Sequence, residues 1–298
     1  MADLASLTDR IKAAFPDLAF DRATLNGDGD DHAVVLLDDA WVFRFPRDDR
    51  HRARLFPVEL NLLAALDGAT RVPIPRYERL PPGRAFGGYR MIRGDPLRPA
   101  DFAGLPAGVR EAILDDLADF LSVIHSLPPA ILAQSDGTIA LEWAAERFRR
   151  RWLEKRRAQV AIVVPTALLK NIDHFYDAYA SAPAPPREVV THGDLTDDHM
   201  LLAQRRDRLA GVIDFGDACL GDPAYDFAFF FAYGQAAADQ LAGRYDPVGD
   251  DPTLLARARG HFIRFRVEQL RRRATMVDIE AILCDLPGRL AAYFAEAT

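Results

Sequence analysis

Two short stretches hold the residues best equipped for chemistry, Thr191-His-Gly-Asp-Leu-Thr-Asp-Asp-His-Met200 and Gly211-Val-Ile-Asp-Phe-Gly-Asp217. His192, Asp194, His199 and Asp214 can each hold a proton or a metal ion. Apolar runs flank them, Met200-Leu201-Leu202 on one side and Leu209–Ile213 on the other. If these runs pair as a hairpin, Asp194, His199 and Asp214 meet at one end of it. A carboxylate beside an acceptor hydroxyl, with a second carboxylate holding a hard cation, is what phosphoryl transfer requires. A metal-dependent hydrolase could use the same four groups, but it leaves the first ninety residues without a purpose.

Those ninety residues read as strands around one helix. Ala33–Leu37 and Trp41–Phe45 are β-rich runs separated by Asp38-Asp39-Ala40, a hairpin signal. Leu55, Glu59, Leu62, Leu63 and Leu66 recur at helical spacing within Arg50–Leu66. Strand-like runs follow at Ile74–Leu80 and Phe86–Ile92 around the turn Pro81-Pro82-Gly83. A Gly/Pro-punctuated linker, Arg93–Pro99, then opens a mainly helical region. Helices are expected near residues 107–126, 141–158, 166–181, 223–242, 252–273 and 276–296, with a short β-rich insert at Val189–Phe215. The expected fold class is α+β, with a β-rich lobe (1–92) and a larger helical lobe (93–298) meeting at a cleft suited to small ligands.

Composition narrows the classes. The chain has 298 residues, 37 Lys+Arg against 44 Asp+Glu, and a formal charge of -7. That balance argues against a nucleic-acid partner, whose affinity comes from a basic face. The basic runs Arg147–Arg157 and Arg264–Arg273 therefore read as solvated helix faces partly neutralised by Glu146, Glu154 and Glu268. Two cysteines cannot build a disulfide framework or a thiolate zinc site. The N-terminus lacks the pattern of a secretion signal, and the longest apolar stretch, around Phe227–Tyr233, is far too short to cross a bilayer. A cytoplasmic protein without membrane partners, a monomer or weak dimer, is expected.

His192-Gly-Asp194 with His199, then Ile213-Asp-Phe-Gly-Asp217 and Gly221-Asp-Pro-Ala-Tyr-Asp226, resembles the aminoglycoside phosphotransferase family of kinase-like antibiotic-resistance enzymes. Ile74-Pro75 and Asp116–Leu127 fit the same pattern, so the likeness runs from about Ala33 to Phe230. His in place of the more usual Asn at 199 is similar to both the 2'' group and the macrolide phosphotransferases, and the run Asp198–Asp217 looks most like the 2'' group. The resemblance implies a bilobal protein-kinase-like fold and transfer of the γ-phosphoryl of ATP or GTP, with Mg²⁺, to a hydroxyl of a small cationic molecule.

Carried over by residue, the resemblance makes Asp194 the base that orients the acceptor hydroxyl, and Asp214 and His199 the metal-binding residues. The usual strand lysine is missing, and Arg44 stands in its place with Glu59 as expected partner; arginine keeps the charge and adds a planar fork. Arg90 and Ile92 fall where the nucleotide base is held. Asp197 and Asp217 would face the acceptor, and Tyr233 could reach it. The loop Leu25–His32 has three aspartates and no GxGxxG. His192, His125 and Asp226 are expected to be structural, and Cys219 a packing residue. Thr191–Asp226 holds eight aspartates against three arginines, a net -5 that would suit a polyamine. Alternatives are a macrolide or other small-metabolite kinase, or a non-catalytic nucleotide- or nucleic-acid-binding protein on a kinase-like scaffold.

Overall fold

A computed structural model describes residues 3–26, 32–48, 55–133, 145–245, 251–270 and 276–296. Strands around a single helix at the start of the chain need one addition, α1 (Leu4–Ala14). Asp3 caps it by accepting from the Ser6 N–H at 2.7 Å, and Leu7 and Ile11 are buried among Phe15, Val35 and Phe43. Such a side-chain cap is worth about 1 kcal/mol. Strands β1 (Ala23–Asn26), β2 (His32–Leu37), β3 (Trp41–Pro46), β4 (Tyr77–Arg79) and β5 (Gly87–Arg90) form an antiparallel sheet in the order β1-β2-β3-β5-β4. Asp38 and Asp39 both have positive φ, 52° and 51°. The Leu37–Ala40 turn thus has the twist that matches a hairpin's strands. Asp38 braces it by accepting from the Arg22 N–H at 2.7 Å. Most of the loop Leu25–His32, and residues 50–54 of the expected helix, lie outside the described residues.

Helix α2 (Phe56–Leu66) comes after β3 in the chain. Its Val58, Leu62, Leu63 and Leu66 belong to the same apolar cluster as Ile113, Leu117 and Leu121 of the helical region, so α2 ties the two regions together through one core. A two-residue strand, β6 (Asp95–Pro96), leads to α3 (Pro99–Gly104) and α4 (Ala107–Ser126), the latter with the expected bounds. The expected helix 141–158 is broken: α5 (Ala145–Arg151), a π-helical turn over Trp152–Arg156, then α6 (Arg157–Val160), with residues 141–144 outside the described set. Trp152 is buried and stacks on Tyr176 of α7 (Thr166–Ala180) at 4.7 Å between ring centres.

The β-rich insert comprises β7 (Val189–Thr191), β8 (Met200–Leu202) and β9 (Leu209–Val212), with β10 (Cys219–Gly221) pairing back on β7. The expected helix 223–242 is interrupted. It becomes α8 (Ala224–Phe227), a 3₁₀ turn and α9 (Gln235–Ala242), separated at Gly234, whose φ of 103° cannot continue a helix. Helices α10 (Leu254–Gln269) and α11 (Met276–Glu296) close the fold. Among the described residues no helix is long and apolar enough to cross a membrane.

Candidate active site

Strand β7 delivers the chain into His192-Gly193-Asp194. Gly193 has φ +83°, and a Cβ there would lie 2.1 Å from the Asp217 carbonyl oxygen. Only glycine lets the two loops come this close. Buried Asp226 accepts from the N–H groups of His192 and Gly193 at 2.7 and 2.9 Å, and from His125 Nε2 at 3.0 Å. His125 Nδ1 pairs with the Tyr245 hydroxyl at 2.6 Å. Both residues are the structural groups expected of them. Burial raises the Asp226 pKa, but His125 and the two N–H donors outweigh it and hold the carboxyl below its usual range.

His192 is fully buried against Phe215. Its Nε2–H donates to the Ile213 carbonyl at 3.1 Å, and its Nδ1 accepts from the Asp194 N–H at 3.3 Å. Burial lowers its pKa to about 4 despite the attraction of Asp226, so the ring is neutral at pH 7. It fastens the Asp194 loop to the end of β9.

The hairpin forms as its flanking runs suggest. Met200 pairs with Val212, and the Ile213 N–H donates to the His199 carbonyl at 2.9 Å. His199 Nδ1–H donates to the Asp194 main-chain oxygen at 2.7 Å and lies 3.4 Å from Asp194 Oδ2. Its other nitrogen, Nε2, lies 3.7 Å from Asp214 Oδ2. Asp214 holds φ +65°, a strained conformation that aspartate tolerates better than most residues. Asp194, His199 and Asp214 do converge.

From the sheet, Arg44 reaches the same point. Its Nη1 donates to Glu59 at 2.8 Å; its Nη2 donates to Asp214 Oδ1 at 2.7 Å and to His32 Nδ1 at 3.2 Å. The planar fork spans two carboxylates, one on each Nη. Burial pushes the Arg44 pKa down, but Glu59 and Asp214 outweigh it and the group stays charged. Asp214 is pushed up by burial and pulled down further by Arg44 and His199, to about 2. Glu59 is buried and also accepts from the Tyr77 hydroxyl at 3.2 Å. It supports Arg44 without lining the cleft.

A cavity of about 1850 Å³ spans the sheet and the helical region. Val34, Leu36, Val42, Met91, Leu201 and Ile213 give it an apolar slot beside Arg44 and Asp214. Ile92, Asp197 and Asp217 line it. Arg90, expected to act through its backbone groups, ends β5 and turns its guanidinium 3.9 Å over the Trp41 ring and near Glu78. Tyr233 is a correction, since its hydroxyl donates to the Leu97 carbonyl and its ring packs against Phe102 and Phe230.

The local charge of -5 is corrected as well. Arg98 pairs with Asp197 and Asp198, each at 2.7 Å, and Arg257 donates to Asp222 at 2.8 Å. With Arg44 on Asp214, arginines distant in sequence neutralise much of the stretch. Nothing in the sequence singles out the slot residues Val34, Leu36 and Val42; their alternation marks strands, not what the strands face. In the basic runs, Arg149 pairs with Asp177, Arg157 with Asp173 and Arg156 with Glu268. Arg264, expected on a solvated face, is buried.

The donor set fits Mg²⁺ in one respect. Among the described residues no three His, Cys, Asp or Glu side chains converge as a complete metal cage. The Asp214 carboxylate and His199 Nε2 face each other, and Mg²⁺ characteristically takes one or two protein ligands with waters and phosphate oxygens. Nitrogen is the less suited of the two donors.

Residues 22–261 match the phosphotransferase enzyme family. The uncharacterized protein YcbJ of Bacillus subtilis (strain 168) is 27% identical over 253 residues, 77% of this chain and 76% of that protein. Among solved structures, a mutant of aminoglycoside 2'-phosphotransferase-IIIa in its GDP complex superposes with a TM-score of 0.78 at 26% identity, covering 99% of this chain and all of that one. The GDP and kanamycin complex of APH(2")-IIIa gives 0.74 at 25% identity over 97% and 98%. Macrolide 2'-phosphotransferase type I shares the fold, at 0.63 and 22% identity over 96% and 98%. A sheet capped by a helical region, with two aspartate-bearing loops braced together between them, is the kinase-like fold of these enzymes, and the chain belongs to the phosphotransferase enzyme family.

Proposed function

We propose that the protein transfers the γ-phosphoryl of ATP or GTP to a hydroxyl of a small molecule bound beside Asp194. The supporting observation is the convergence of Asp194, His199, Asp214 and Arg44 at one point of one cavity. In this reading residues 1–92 form the nucleotide-holding lobe and 93–298 carry the acceptor. The apolar slot between Val42 and Leu201 takes the base, with Ile92 at its edge. Arg44 faces the phosphates, held in place by Glu59. Asp194 accepts the hydroxyl proton as the acceptor oxygen attacks the γ-phosphorus and the bond to the β-phosphate oxygen breaks. Asp214 and His199 would hold Mg²⁺, which supplies charge neutralisation on the phosphates.

Nucleotide turnover with ATP and GTP, in the presence of candidate acceptors, tests the reading. Asp194→Asn is expected to lose on the order of 100-fold or more in kcat while nucleotide affinity stays within about threefold; a variant of undiminished kcat would remove Asp194 from the role. The 2''-type motif and the kanamycin complex of APH(2")-IIIa make an aminoglycoside the first acceptor to try. The ion pairs of Arg98 with Asp197 and Asp198 favour a second reading, in which the acceptor is another hydroxylated metabolite. Stimulation by kanamycin alone would decide for the first.

A further inference from the structure

The acceptor side of the cavity carries its charge in an unexpected way. The acids on it are largely engaged within the chain: Asp197 and Asp198 by Arg98, Asp285 by Arg289, Glu268 by Arg156. A polyamine would meet carboxylates whose charge is already partly balanced. Arg264, in contrast, is 6% exposed and lines both the main cavity and the small recess behind Asp194. Among the described residues no carboxylate lies within ion-pair distance of it. Its Nη2 donates to the Tyr225 hydroxyl at 2.9 Å, and the guanidinium lies 4.1 Å over the Phe148 ring and 5.4 Å from that of Tyr225. Its Nε is buried without an acceptor.

Buried charges in proteins are paired, and a buried donor without an acceptor calls for an explanation. Aromatic faces soften the burial of a guanidinium but leave its forked donors unused. Two of these aromatic groups, Phe148 and Tyr225, line the main cavity with Arg264, and Arg151 stands exposed on the same wall. The arrangement is that of a receptor for a planar or tetrahedral oxyanion, one step from the catalytic loop.

We propose that Arg264 is the counter-ion for an anionic group, a carboxylate or phosphate, carried by the acceptor whose hydroxyl is phosphorylated at Asp194. The inference rests on the phosphotransferase reading and names its acceptor class. Arg264 binds the oxyanion through the open donors of its fork, and the ion pairs around it leave less negative charge for a polyamine. The substrate is then a hydroxy acid or a phosphorylated polyol, and Arg264 sets specificity without touching the transferred phosphoryl.

The test holds the nucleotide site filled with a saturating non-hydrolysable ATP analogue and Mg²⁺, then titrates inorganic phosphate against chloride at constant ionic strength while thermal unfolding is followed. Wild type should be stabilised by phosphate over chloride, and Arg264→Met should weaken that response at least tenfold while its affinity for the analogue is kept. Equal responses to phosphate and chloride, or an undiminished response in Arg264→Met, overturns the proposal. Should Arg264→Met not fold, Arg264→Lys and Arg264→Gln give the same contrast, with lysine the milder loss. Turnover on one skeleton sharpens it: glucuronate and glucose 6-phosphate should stimulate at least tenfold more than glucose and glucosamine, and a preference for glucosamine or kanamycin overturns it. A protein that does not bind the analogue refutes the phosphotransferase reading itself; one that binds it yet ignores phosphate refutes only the anion site.

Discussion

Arg44 and Arg264 are both buried, at 5% and 6% exposure, and both line one cavity. Their surroundings are opposite. Arg44 is spanned by Glu59 and Asp214, so its charge is balanced before any ligand arrives. Arg264 has a hydroxyl and two aromatic rings. A buried charge needs a partner, and among the described residues no carboxylate lies within ion-pair distance of Arg264, which is why the partner proposed for it comes from outside the chain. Against the sheet, Arg44 is one part of a preassembled cluster; on the helical wall, Arg264 is, in the proposed reading, half of an interaction.

Four measurements put that contrast at risk. Arg44→Met leaves Glu59 buried without its cation, and loss of one member of a buried pair costs about 3–5 kcal/mol. Urea unfolding should show a fall of that size, largely recovered in the double variant Arg44→Met/Glu59→Leu; an undiminished midpoint would mean Arg44 is not held as described. His192 offers a third solution, remaining neutral. Its pKa of about 4 against an ordinary 6.5 means the unfolded chain binds the extra proton first. Stability is therefore flat above pH 6.5 and declines as pH drops from 6.5 to 4, by about 3 kcal/mol in all. The slope over that window should shrink in His192→Gln, and an identical slope would assign it elsewhere.

The third effect is smaller. Tyr77→Phe removes one donor to Glu59 and should cost about 1 kcal/mol, read as a shift in the same urea midpoint with Arg44 untouched. The smallest is the most discriminating. Arg264→Met strands no carboxylate and replaces a buried ion by an apolar chain, so stability should hold or rise by about 1 kcal/mol. A loss above about 2 kcal/mol would mean that Arg264 has a structural partner after all, and the contrast with Arg44 would fail.

Sequence motifs were most informative where a backbone fold forces residue types together. His192-Gly-Asp194 and Asp214–Asp217 are joined by Gly193, whose role follows from its missing Cβ. Helix α4 was legible to its ends because its apolar spacing is regular. What escaped were features set by partners distant in the chain. The aspartates of Thr191–Asp226 look unbalanced until Arg44, Arg98 and Arg257 arrive from other elements. Arg264 looks like its basic neighbours, because a run of charges does not say which one faces inward. Tyr233 lies close to the site in sequence, but its hydroxyl is taken up by the Leu97 carbonyl. Short α1 and the break at Gly234 are local, and a cap at Asp3 and a lone glycine were the signals available.

Helix α2 is held on two sides. One face carries Glu59, which fixes Arg44; another is buried in the core shared with α4. The spacing between the sheet's arginine and the aspartate of the opposite loop is therefore gauged by apolar packing, not by ligand. Swinging α2 outward would tear Leu62 and Leu66 from that core, at roughly 1.5–3 kcal/mol for each side chain exposed. Undoing the pair therefore costs core burial, so α2 is expected to hold Arg44 against Asp214 with or without a ligand.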